Sequence, residues 1–359
     1  QTDGSSAGDV VDTTGTYNPT TISPFSADSN SLSMTVNDLN DAPELTDGTV
    51  ITLGTITEDD APAGDAPAYS SLTTYQVSSV VTGTVYTDTD TTPAFNTLGL
   101  AVSSASTTNG RWEYSKDAEV TWTTVPAVSS SLVLLLDGAD YVRFVPDDNN
   151  GSTATLEFYA WDQSNNPTIA TDNTTSLTST EQGDAGAYSV FSNTLSLTVS
   201  SINDAPTLTT TGTTTLTAIT EDDYDHSGEL ISAIVGSSVG DVDSGAIYGV
   251  AVFAVTTGVG TWEYNLNDGS GWTSMEGGGS LSVSNARLLA SDASIRYNPV
   301  STMENGESSD PTISYAVWDQ TTGSNGGVST IATVGDATAF SVDTEVASIV
   351  VSDVNDALI

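Results

Sequence analysis

The chain has 359 residues, 47 acidic and 5 basic side chains, and a formal charge of −42. A surface this acidic repels nucleic acid and anionic lipid, and no run approaches the roughly 18 apolar residues of a membrane-spanning helix. The length fits two domains of about 150 residues and a remainder, and with no Cys disulfides cannot supply rigidity.

Hydrophobic residues make up 37% of the chain and charged ones 14%; the balance is rich in Ser, Thr, Gly and Asn, a mixture that suits short strands and turns. Residues 1–43 read as the end of a repeat: a long loop, a strand over 30–39 with Leu32, Met34 and Val36 alternating, and then Asp38-Leu-Asn40-Asp41-Ala42-Pro43. A complete repeat follows over 44–206. Its landmarks are Ile56-Thr-Glu58-Asp59-Asp60, Asp88-Thr-Asp90, Trp112-Glu-Tyr114 with Trp122, Arg143-Phe-Val-Pro146, Trp161-Asp162-Gln163 and Asn203-Asp204-Ala205. The same series returns over 207–359 as Ile219-Thr-Glu221-Asp222-Asp223, Asp241-Val-Asp243, Trp262-Glu-Tyr264 with Trp272, Arg296-Tyr-Asn-Pro299, Trp318-Asp319-Gln320 and Asn355-Asp356-Ala357. The Asn-Asp-Ala string recurs at spacings of 163 and 152 residues, a signature of tandem architecture.

Period-2 alternation predicts strands in each repeat. Leu195, Leu197 and Val199 share one face of a closing strand, as do Ala347, Ile349 and Val351; Leu156/Phe158 and Ile313/Tyr315 mark the strand before it. Trp112/Tyr114 and Trp262/Tyr264 open hairpins whose turns carry Asp117 and Asn267-Asp-Gly269. The reading is all-β: two tandem Greek-key sandwiches, preceded by the last strand of a third repeat.

Folded that way, the acidic motifs collect at the poles of the sandwiches. The central junction would gather Glu58 from the first repeat, Asn203 and Asp204 from the linker, and Asp241, Asp243 and Asp319 from the second. Two carboxylates about 4 Å apart repel by ~4 kcal/mol at an effective dielectric near 20, and five cations cannot neutralise such groups. Carboxylates with Asn and backbone carbonyls suit a hard cation; Ca²⁺, with six to eight oxygens, fits better than Mg²⁺. A single His (His226) and no Cys give zinc or copper little to bind.

Asp38-Leu-Asn40-Asp41-Ala42-Pro43 resembles the Asp-x-Asn-Asp-Asn-Ala-Pro linker of cadherin repeats. Asp241-Val-Asp243-Ser-Gly245 resembles their Asp-x-Asp-x-Gly motif, and Ala160-Trp-Asp162 their Ala-x-Asp. Glu58 and Glu221 stand where that family keeps a Glu ligand near the end of its first strand. With its Trp-Glu-Tyr hairpin, the whole pattern is similar to the tandem cadherin-like, immunoglobulin-like domains of giant bacterial surface proteins and adhesins. The resemblance implies Ca²⁺ at each linker, with ligands from Asp38, Asn40, Asp41, Asp88, Asp90 and Asp162 at the first and the six junction residues at the second. Glu221, Asp353, Asn355 and Asp356 would serve a third. The second Asn of the family linker is absent from all three copies, Ser201 replaces its leading Asp at the middle one, and Val317 replaces the Ala of the second Ala-x-Asp. With no counterpart of the family's mid-domain Asp-Arg-Glu, one or two ions per junction are expected.

The remaining signals are structural. The tryptophan hairpins are expected in the cores, with glycan stacking as the rival reading; Arg143 and Arg296 are expected to pair with carboxylates, and His226 to sit in an exposed loop. Asp147–Phe158 lacks the closing Glu of an EF-hand and reads as a turn. Asn150-Gly-Ser152 and Asn173-Thr-Thr175 match the glycosylation sequon. With no nucleophile elbow, metalloprotease helix or phosphate loop, the expected function is non-catalytic: a calcium-stiffened extracellular stalk, adhesin segment or filament at a cell surface. Its expected partners are neighbouring copies or repeats of its own kind. The alternatives are a filament subunit polymerising by donation of its N-terminal strand, and an adhesive module binding glycan or protein.

Overall fold

The computed structural model describes residues 33–34, 39–61, 69–81, 86–90, 98–165, 172–210, 212–300 and 309–355. The chain divides into two compact units, Gln1–Leu39 and Asn40–Ile359, and every described strand belongs to the second. The strand expected over 30–39, together with Asp38 and Asp356, lies wholly or mostly outside the described residues.

The architecture is all-β. Within 44–206 a six-stranded sheet runs in the order Thr174–Ser176, Leu132–Asp137, Gly99–Ala105, Ser152–Trp161, Tyr188–Ser200, Val50–Thr57. Facing it is a four-stranded sheet ordered Tyr75–Gln76, Tyr141–Pro146, Gly110–Ser115, Thr123–Thr124. Within 207–359 the same pair recurs: Thr214–Thr215, Phe340–Ser348, Thr312–Trp318, Gly249–Thr256, Ala286–Ala290, Val328–Ser329 against Glu229–Leu230, Ser294–Asn298, Thr261–Asn265, Thr273–Ser274. Every described strand pairs within its own repeat. Two single helical turns, Val77–Val80 and Ile231–Val235, interrupt the all-β reading at equivalent points, and each tucks an apolar residue, Val77 or Ile231, fully into the core.

Alternation explains the cores. Leu195, Leu197 and Val199 point inward with Leu156 and Phe158, and Ala347, Ile349 and Val351 do so with Ile313 and Tyr315. Trp112 meets Phe144 edge-on, ring centroids 5.5 Å apart at 67°, and Trp262 meets Tyr297 at the same distance and angle. On the other face of each four-stranded sheet, Glu113 receives Arg143 (2.7 Å) and Glu263 receives Arg296 (2.8 Å). Each guanidinium is covered by the hairpin's second tryptophan, Trp122 or Trp272, 4.1 and 4.3 Å from the ring centroids. His226 departs from the sequence reading: it is half-buried, a ring nitrogen 2.8 Å from the Tyr297 carbonyl.

Strand direction sets the position of the acids. Val50–Thr57 pairs in parallel with the closing strand, from Val50↔Thr194 to Thr57↔Ser200, so Glu58 and the 201–204 linker emerge at one pole. Ser152–Trp161 runs antiparallel to that closing strand, which delivers Asp162 to the opposite pole.

Candidate metal centre

Glu58 opens a single 3-10 turn, Glu58–Asp60, at the end of the first strand, and its side chain is fully buried. One carboxylate oxygen accepts the backbone N–H of Ile202 at 2.5 Å. The linker then crosses to the second repeat. Asn203 donates its amide to Asp319 (2.9 Å) and to the Thr338 carbonyl (3.2 Å). The Asp204 N–H donates to Asp243 (2.9 Å), whose own N–H donates to Asp241 (2.9 Å).

These bonds bring Glu58, Asp204 and Asp243 together, one carboxylate oxygen of each lying within 4.8 Å of the others. Glu58 Oε2, Asp204 Oδ2 and Asp241 Oδ2 are buried with no hydrogen-bond partner. A buried carboxylate oxygen without a donor is costly. Burial, together with Asp59 and Asp243, holds the Glu58 pKa above the ordinary carboxylate value in spite of the Ile202 N–H. Asp204 is pushed up to about 6 by burial, with Asp243, Asp59, Glu58 and Asp148 adding repulsion. Asp241 is raised by burial and then by Asp243 and Asp319. All five basic side chains are engaged elsewhere: Arg111 and Arg143 on Glu113, Lys116 on Asp140, Arg296 on Glu263 and Asp225, and Arg287 on the Gly326 carbonyl.

The donor set fits a hard divalent cation. It is all oxygen, it carries more negative charge than its hydrogen bonds offset, and its orphaned atoms come from both repeats. Six to eight ligands at flexible geometry describe Ca²⁺ better than the fixed octahedron of Mg²⁺.

The first pole repeats the linker half of this arrangement. Asn40 donates to Asp162 (3.0 Å) and the Gly186 carbonyl (2.9 Å); the Asp41 N–H donates to Asp90 (3.0 Å), whose N–H donates to Asp88 (2.9 Å). Asn40 Oδ1 is a buried atom without a partner there. The last pole repeats the glutamate half: Glu221 is buried and accepts the Val354 N–H at 2.8 Å. Asp353 and Asn355 lie exposed beside it. The fourteen ligand candidates among the described residues therefore fall at three separate poles, and of these only Glu58, Asp204 and Asp243 form a close carboxylate group.

Two junction acids escaped the sequence reading. Asp59 and Asp148 both raise the Asp204 pKa, and the pKa of Asp59 is itself raised, by burial and then by Asp148. Asp59 could have been found from its recurrence as Asp222 in the Ile-Thr-Glu-Asp-Asp motif. Asp148 could not, because turns of this composition are common on any surface.

No family model matches the chain, and no curated protein does. Among solved structures the chain is similar to mouse protocadherin-24 EC1-3, with 15% identity over 86% of this chain and 70% of that one and a TM-score of 0.36. It is also similar to CfaE, the adhesive subunit of the CFA/I fimbria of enterotoxigenic Escherichia coli (9% identity, 86% and 99% covered, TM-score 0.31). A third likeness is to the CupB6 tip adhesin of Pseudomonas aeruginosa (9%, 87% and 100%, TM-score 0.25).

Proposed function

We propose that residues 44–206 and 207–359 are successive repeats of a non-catalytic surface protein working outside the cell, and that Ca²⁺ bound at residues 201–204 stiffens the joint between them. The observation that carries this is the group Glu58, Asp204, Asp243 and Asp241, drawn from two repeats and a linker, three of whose carboxylate oxygens are buried without a partner. An ion there would offset their repulsion and tie the repeats through shared ligands. Extracellular modules bind Ca²⁺ with Kd of about 10⁻⁴–10⁻³ M, so millimolar calcium would keep such a site filled. The half-sites at the outer poles, Asn40/Asp41/Asp88/Asp90/Asp162 and Glu221, complement each other as the two halves of the central junction do. That supports neighbours of the same kind at both ends.

The glycan-platform reading loses its strongest residues. Trp112 and Trp262 are each 1% exposed, so no sugar ring can stack on them. Small-angle scattering of the full chain in calcium and in EDTA tests the proposal. A larger maximum dimension and a narrower range of shapes are expected with calcium; identical profiles, with no heat of calcium binding, would refute it.

A further inference from the structure

Asn150 sits in the turn that joins Tyr141–Pro146 to Ser152–Trp161, at the pole of the first repeat that faces the junction. The turn is anchored to its own repeat. Asn109 donates to the Gly151 carbonyl (3.0 Å), and the Gly151 N–H donates to the hydroxyl of Ser201 in the linker (2.7 Å). Gly151 lies so close to the linker that an added Cβ would stand 2.5 Å from the Ser201 nitrogen, which leaves glycine as the residue that fits.

From this base the Asn150 side chain reaches into the second repeat. Its amide nitrogen donates to the Val242 carbonyl (2.8 Å), and its amide oxygen accepts the Ser244 N–H (3.0 Å). Both polar ends of one side chain are thus spent on alternate residues of Asp241–Gly245. The residue between them is Asp243, whose carboxylate accepts the Asp204 N–H and belongs to the acidic group. A carboxylate at 150 could not donate to Val242, and a longer side chain would displace one of the two contacts.

We propose that Asn150 is a positioning residue. It holds the Asp241–Asp243 loop in register for the ion and keeps the two repeats clasped when the ion is absent. The first half rests on the calcium reading; the second does not. The Asn-Gly pair returns in the sequence as Asn305-Gly306, after Arg296-Tyr-Asn-Pro299.

The test uses the full chain with spin labels at Thr124→Cys and Ser274→Cys, one exposed site in each repeat of a protein that has no other Cys. Asn150→Ala and Asn150→Gln should each weaken calcium binding about tenfold, with the melting temperature in EDTA unchanged. In EDTA both should give a broader label-to-label distance distribution than the parent. Asn149→Ala, whose amide bonds back to the Asp147 carbonyl within its own turn, should match the parent. Parent-like affinity and distances in both Asn150 variants would overturn the inference, as would an equal loss in Asn149→Ala. A parent protein that takes up no calcium would sink the metal reading instead, and the EDTA distances would still decide the clasp.

Discussion

Glu58 shows how a residue can be singled out by sequence and still hold information that only geometry supplies. Its recurrence as Glu221 at the end of an equivalent strand was legible, because the motif repeats in order. That one of its oxygens takes the Ile202 N–H while the other is sealed from any donor was not. Replacing it tests that sealed oxygen. Glu58→Gln should weaken calcium binding by tenfold or more, and should raise the melting temperature in EDTA because a buried, uncompensated charge is gone; isothermal titration and thermal melts read the two effects. Asp204 gives the matching pH dependence. Its pKa in the folded chain is about 6, against 3.8 unperturbed, so the folded state holds the proton more tightly than the unfolded one. The associated stability is fully present below about pH 4 and is lost as pH rises through 6. Ion-free protein should therefore melt lower at pH 7.5 than at pH 4.5, and calcium, which binds the deprotonated form, should restore the difference only at the higher pH.

Among the elements, the tryptophan hairpins were the most legible. Trp112-Glu-Tyr114 and Trp262-Glu-Tyr264 alternate inward and outward as period 2 requires, with registers Glu113↔Arg143 and Glu263↔Arg296. Two helical turns and a slip in the closing strand were not legible, since each is a local exception whose purpose is three-dimensional. At the slip, the N–H of Ala160 or Val317 loses its carbonyl partner and donates to the hydroxyl of Ser189 (2.9 Å) or Ser341 (2.9 Å). Serines are plentiful in this chain, so nothing in composition marks these two. The buried Arg–Glu pairs offer a clean energetic test. Breaking a buried pair from one side typically costs about 3–5 kcal/mol, because the remaining charge is stranded; Glu113 keeps Arg111 as a second partner at 2.9 Å. Arg143→Ala and Arg296→Ala should each cost their own repeat about 3 kcal/mol and leave the other repeat unchanged. Denaturant unfolding followed by tryptophan fluorescence reports on both.

For the molecule as a whole, the expectation of a tandem arrangement rests on six motifs that return in one order, which no feature of a single repeat could supply. The charge of −42 gives the arrangement its dependence on solvent. All five cations are spent inside the repeats, so no cationic side chain is left to neutralise the acids gathered at the linkers, and a counter-charge has to come from the medium. The closeness of the Asn150 contact lay beyond sequence reasoning, since it depends on how two repeats meet and not on either alone.

The parallel pairing of Val50–Thr57 with the closing strand has a mechanical consequence. Tension along the chain grips Val50–Thr57 by its start and Tyr188–Ser200 by its finish, so the ladder from Val50↔Thr194 to Thr57↔Ser200 must shear as a unit instead of unzipping bond by bond. In the second repeat the equivalent ladder is split into Thr214–Thr215 against Ala347–Ser348 and Ile219–Thr220 against Val351–Ser352. Single-molecule stretching should record two unequal ruptures, the weaker belonging to the second repeat and falling further in Arg296→Ala. Under load the downstream module would then act as the fuse that yields first and spares the upstream one.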